Sequence, residues 1–302
     1  MSTIDRVVFG DNQFFGINHM SQEKAQQLAM RFLDLDDIFA VYDTAFDAGV
    51  RAVMLNSNDR AAAICDRFRD RASQYPALAW YPSIPYPHKY ANLVAEKGIM
   101  AAINSVVFQE SSAIAGLGRL AQGGLALVSR DIVQLAKMLI DAEMRMFRGL
   151  DVRVVFLQNV LTDLILGLGV REFFVEYSEH IRRKYGAMPG LITQNLPLLR
   201  NRLQEWGVEG VVICASINKI GYLMSPGIHA YEQVLATNDP ARYPVMAMST
   251  LASGAIPAAE AYEFINRLNV QSIVFGASSR GHIEQTLRCI APQPLTADAR
   301  PQ

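Results

Sequence analysis

Residues 272–287 read SIVFGASSRGHIEQTL. Ser272 to Phe275 form a short apolar run without polar alternation, as expected of a strand covered on both faces. Gly276-Ala277-Ser278-Ser279 is a turn, and residues 281–290 follow with a helical pattern. Strand, tight turn and helix together make one βα unit. Working back from it, seven more runs of the same kind lie at 7–9, 52–55, 78–81, 152–157, 190–193, 211–215 and 245–248. The helices between them are legible too. Ser21 begins one, with Ala25, Leu28, Ala29, Phe32 and Leu33 at helical spacing. Pro197 and Pro257 stand where a first helical turn accepts proline, and Gly207 closes the helix that Pro197 opens. Eight such units within residues 1–290 predict a single (β/α)8 TIM barrel. An open doubly wound sheet is the alternative, but no GxGxxG follows the first strand.

The repeat is interrupted once. Residues 82–151 separate the third strand from the fourth, more than a barrel unit needs. A helix capped by Ser129, with Ile132, Leu135, Ala136, Leu139, Ile140 and Met144 on one face, accounts for the second half. The Gly- and Ala-rich part before it, 85–128, is assigned to an insertion after strand 3. It leaves the barrel at the C-terminal mouth, where a lid and a homo-oligomer contact are both open readings. The Pro-rich polar tail, 291–302, is expected to be disordered.

Composition narrows the functional classes. The 302 residues are 51% hydrophobic and 19% charged, and 28 Lys plus Arg against 29 Asp plus Glu leave a net charge of −1. That excludes a disordered chain and argues against nucleic acid, which calls for a basic face. Cys65, Cys214 and Cys289 are far apart, and the five histidines show no HxH or HExxH spacing, so neither a disulfide framework nor a metal site is expected. The N-terminus has no signal-peptide pattern, and no apolar run is long enough to span a membrane. A cytoplasmic location is the expectation.

In a barrel, the residues that end the strands line the site. Here they are rich in amides. Asn12, Gln13, Asn56, Asn58, Tyr81, Asn159, Gln194 and Asn218 are the candidate ligand-binding residues, because amides offer donors and acceptors at fixed geometry to a polyhydroxyl or amide-bearing small molecule. Each amide taken alone also reads as a helix cap or turn residue. Asp11 and Asp59 follow adjacent strands, and partial burial among amides would raise their pKa toward a catalytic range. Gln158 and Lys219 complete the catalytic candidates. Lys219 lies just past strand six, and its plainer reading is a solvated loop charge.

Several of these segments resemble the aldo-keto reductase superfamily. The stretch 272–287 is similar to its last strand, Ser-rich turn and helix, and 244–254 (PVMAMSTLASG) to its seventh strand and following loop. Thr193-Gln-Asn-Leu196 resembles its turn after strand five, and Phe9-Gly-Asp-Asn-Gln-Phe-Phe-Gly16 its opening strand. The resemblance implies NADP, with Asn195 at the carboxamide, Ser249, Leu251 and Gly254 at the pyrophosphate, and Ser278, Ser279 and Arg280 at the adenosine phosphate. Its catalytic Asp, Tyr, Lys and His are missing. After strand two stands Asn56-Ser57-Asn58-Asp59-Arg60, strand three carries Leu78-Ala79-Trp80-Tyr81, and Gln158 holds the histidine's place. Tyr42-Asp43-Thr44-Ala45 looks like the family's Asp-Thr-Ala but precedes Gly49 and belongs to the first helix. Three functions therefore stay open: an oxidoreductase with another proton donor, a non-redox lyase, isomerase or hydrolase acting on a sugar-like or phosphorylated metabolite, and a ligand-binding regulatory barrel.

Overall fold

A computed structural model describes residues 4–16, 22–85 and 125–290. Along the chain these form β1 (Val7–Phe9), α1 (Gln22–Arg31), α2 (Leu35–Asp47), β2 (Ala52–Asn56), α3 (Ala61–Asp70), β3 (Ala79–Ile84), α4 (Leu125–Met144), β4 (Asp151–Val152) and β5 (Val154–Leu157). There follow α5 (Asn159–Gly167), α6 (Arg171–Tyr185), β6 (Met188–Thr193), α7 (Leu196–Trp206), β7 (Val212–Ser216), α8 (Ile228–Ala236), β8 (Val245–Met248), α9 (Ala258–Asn266), β9 (Ser272–Phe275) and α10 (Arg280–Cys289). Every strand pair is parallel; the strands run in the order β2-β1-β9-β8-β7-β6-β5-β3-β4, and the pairing of β2 with β3 closes the sheet. With β4 and β5 as two halves of one stave, this is a closed eight-stave (β/α)8 barrel. All eight strands expected from the sequence are present.

Two apolar layers hold it. Side chains from alternate strand positions, among them Val8, Met54, Tyr81, Phe156 and Cys214, fill the barrel interior. The opposite parity, with Leu55, Trp80, Val155, Ile213 and Ile273, packs against the helices. Continuous apolar strands follow from this two-sided burial. Gly190 shows how tight the interior is, since a Cβ there would lie 2.4 Å from the Phe156 ring and 2.8 Å from Val154. Interiors at this density leave no slack for an added carbon.

Three boundaries differ from expectation. Strand three does not end at Tyr81 but continues through Pro82 to Ile84. Ala79 pairs with Asp151 and Ser83 with Phe156, so the fourth stave carries one extra residue across that interval. The bulge falls beside Tyr81 and Pro82, which lets the strand absorb a proline that cannot donate to the ladder. The helix expected to be capped by Ser129 begins earlier, at Leu125. Two helices, not one, separate β1 from β2, and Tyr42 to Ala45 lie on the second, α2. Residues 86–124 of the insertion and the tail from 291 lie outside the described residues.

Candidate functional site

Parallel staves all point their C-terminal ends to one mouth, and the period of two along each strand decides what faces the axis there. Carrying the interior parity forward from Met54, Tyr81, Phe156 and Cys214 brings Asn56, Ser83, Gln158 and Ser216 to the top of the interior. Asn56 and Ser83 are register partners on β2 and β3.

Three of these groups, Asn56, Ser83 and Gln158, form one hydrogen-bonded line with Asp11 across adjacent staves. The Asn56 backbone N–H donates to Asp11 Oδ2 at 2.8 Å, and Asn56 Nδ2 donates to Asp11 Oδ1 at 2.6 Å and to Asn12 Oδ1 at 3.4 Å. Gln158 Nε2 donates to Asn56 Oδ1 at 2.5 Å and to Ser83 Oγ at 2.6 Å. Asp11 is only 1% exposed. Burial pushes its carboxyl up to about 7, against the opposing pull of its bonds from Asn56. A carboxylate that keeps both oxygens bonded and still titrates near neutrality is governed by lost hydration. Gln13 lies beside this line, also buried. Its Nε2 donates to Gly10 O at 2.8 Å, while its Oε1 has no partner and packs where a Cβ on Gly276 would sit, 2.1 Å away.

The remaining candidates are scattered. Tyr81, expected at the mouth, points the other way. Its hydroxyl donates to Asp5 Oδ2 at 2.6 Å and accepts from the Asp5 N–H at 2.8 Å, beneath β1. The three residues that β3 adds beyond Tyr81 move it to mid-strand, so Ser83 takes the mouth position. Asn58 spans a turn, with Nδ2 on Asn56 O and Oδ1 on Arg60 N. Asp59 is exposed on the rim. Asn159 opens α5 directly after Gln158. Gln194 is held through its backbone, whose N–H donates to Asp163 and whose carbonyl accepts from Tyr231. Asn195 caps α7 by accepting from Leu198 N at 3.1 Å. Asn218 is fully buried and clamps its own loop through both Tyr222 backbone groups. Lys219 pairs in solvent with Glu260. Among the described residues no group of His, Cys, Asp or Glu could hold a metal ion.

Two arginines stand on the neighbouring side of the mouth, after β9, which pairs with β1. Ser279 caps α10, its Oγ accepting from His282 N at 3.4 Å. Arg280 opens that helix, exposed and 3.6 Å from both Asp47 and Glu284. Arg31, at the end of α1, reaches across to Ser278, with Nη2 donating to its carbonyl at 3.0 Å and Nη1 to its hydroxyl at 3.4 Å. Two guanidinium groups thus flank a helix N-terminus whose free N–H groups already favour an anion. In the neighbouring loop, Ser249, Ala252 and Ser253 have φ of 53°, 45° and 57°, and Gly254 has 90°. Left-handed backbone at three residues that carry a Cβ is held strain, of the kind concentrated at ligand loops. Ser249 Oγ accepts from Ser216 Oγ at 3.2 Å, tying this loop to β7.

Solved structures share the architecture. The aldo-keto reductase AKR11C1 from Bacillus halodurans, in its holo form, aligns with a TM-score of 0.53 over 97% of this chain and 89% of its own, at 10% identity. MGS-M4, an aldo-keto reductase from a Medee basin deep-sea metagenome library, gives 0.52 over 96% and 85%, at 12% identity. The shared fold is the (β/α)8 barrel. No protein-family model and no curated protein matches the chain. Identity this low carries the fold and nothing finer.

The sequence reading missed two residues of the mouth. One more step of the interior parity of Ala79 and Tyr81, past Pro82, reaches Ser83. Arg31 lies 247 residues from Ser278 and gives no local signal.

Proposed function

We propose that this barrel is an aldo-keto-reductase-like enzyme that binds a phosphate-bearing ligand across its mouth, with NADP as the first candidate. The observation that carries this reading is the Arg31 fork on Ser278 beside the Ser279 cap and Arg280. The donor set fits a phosphomonoester: two guanidinium groups, one of them held only by contacts of 3.6 Å, and the α10 N-terminus. The resemblance adds Asn195, Ser249, Leu251 and Gly254 to the residues that would hold the cofactor. Bound NADP would supply hydride exchange at the nicotinamide. The chain's own part is to orient the reacting group over Asn56, Ser83 and Gln158. Asp11 is sealed behind Asn56, so proton exchange falls to Asp59 on the rim or to a water held by Gln158. Calorimetric titration with NADPH and NADH tests the reading. We expect NADPH to bind, and Arg31→Ala or Arg280→Ala to weaken it by about tenfold, the worth of one charge-assisted phosphate contact. If neither nucleotide binds, NADP is removed and the phosphate site is left to be tested with phosphorylated sugars. If binding is indifferent to both arginines, the assigned site is wrong.

A further inference from the structure

The hydrogen-bonded line at the mouth has a direction, and it follows from one atom whose role is beyond doubt. A backbone N–H can only donate, so Asp11 Oδ2, 2.8 Å from Asn56 N, is an acceptor. In the ionised carboxylate Oδ1 is an acceptor too, which obliges the Asn56 side-chain atom 2.6 Å away to be Nδ2. Asn56 Oδ1 then faces Gln158, and the Gln158 atom 2.5 Å from it must be a donor, Nε2. The second Nε2 hydrogen goes to Ser83 Oγ at 2.6 Å. Both donors of Gln158 are spent inside the protein. Its Oε1 takes no bond from any described residue and is not among the sealed orphan atoms, so it is open at the mouth.

We infer that Asp11 is a positioning residue that sets the polarity of this amide line, so that Gln158 Oε1 is presented as an acceptor and selects ligands bringing a donor, a hydroxyl group, to that point. A bare carbonyl oxygen meets like polarity there and is disfavoured, because leaving a buried acceptor unpaired in a complex is penalised. The preferred ligand is therefore an alcohol or polyol at its reacting end. Buried polar networks transmit such orientation because each amide has only one arrangement that satisfies its neighbours. With a protonated Asp11 the constraint on Asn56 is lost, since one carboxyl oxygen then donates. This inference rests on the reading of the mouth as a ligand site, and needs no nucleotide to be bound.

The line itself is read by NMR on protein labelled with 15N-glutamine, with the Gln158 signal assigned by its loss in Gln158→Met. In the parent protein at pH 8 both Nε2 protons are expected to exchange at least tenfold more slowly than those of an exposed glutamine. Ser83→Ala, a mild truncation, should release one of the two and leave the other protected. Asp11→Asn, if folded, should release both. Two rapidly exchanging protons in the parent, or no response to Ser83→Ala, overturns the direction. Ligand class is read by saturation transfer to 2,3-butanediol and to 2,3-butanedione, which share a skeleton but differ in having donors or only acceptors. Transfer to the diol that falls at least threefold in Gln158→Met, with no such dependence for the dione, supports the assignment. Absence of a Gln158-dependent diol signal, or a dependence seen with the dione, overturns it. Failure of NADPH titration with these results intact refutes only the cofactor reading.

Discussion

Asp11→Asn separates the titration of one buried carboxyl from everything else in the molecule. In the folded protein this carboxyl is pushed up to about 7, whereas in the unfolded chain it sits near 3.9. Between those values the native state holds a proton that the unfolded state has released. Stability from this group is therefore fully present below about pH 4 and is lost as pH rises through about 7, the reverse of an ion-paired aspartate. At 1.36 kcal/mol per unit, three units amount to about 4 kcal/mol, of which roughly 3 fall between pH 5 and pH 8. Asparagine mimics the neutral acid in shape and cannot titrate. Urea unfolding of both proteins at pH 5, 6, 7 and 8 reads the difference, and other titrating groups cancel. The parent should lose about 3 kcal/mol relative to the variant across that range, with unchanged m-values. Parallel stability curves would refute the reasoning, because they would mean that Asp11 is hydrated in the native state and that the line it anchors is not sealed.

Two further substitutions probe the scaffold. Gly190→Ala puts a carbon 2.4 Å from the Phe156 ring in the barrel interior, and overpacking of this kind should lower stability by about 1–3 kcal/mol in a denaturant melt; a neutral result would mean the two staves shift freely. Asn195→Ala removes the bond to Leu198 N and should weaken the start of α7 by about 1 kcal/mol without any nucleotide present. A variant as stable as the parent would refute a stabilising cap at Asn195.

The eight βα units are legible from local pattern alone, because a strand covered on both faces has to be continuously apolar and a helix on it has to repeat at its own period. The βα unit at 272–287, the prolines that open α7 and α9 and the amide-rich strand ends all belong to this class. Which strand-end residues meet depends on how distant segments pack. Tyr81 and Ser83 lie two residues apart on one strand and share one parity. Yet one is spent on Asp5 at the base, and the other receives a bond from Gln158 at the mouth. The bulge that carries the strand past Pro82 belongs to the pairing with β4 and β5, not to the strand's own sequence. The pKa of Asp11 is likewise a property of burial, which no neighbouring residue type reports. Arg31 meets Ser278 because closing the barrel brings the first unit beside the last. Periodicity is written residue by residue, whereas closure, register and loss of water come into being only when distant segments pack.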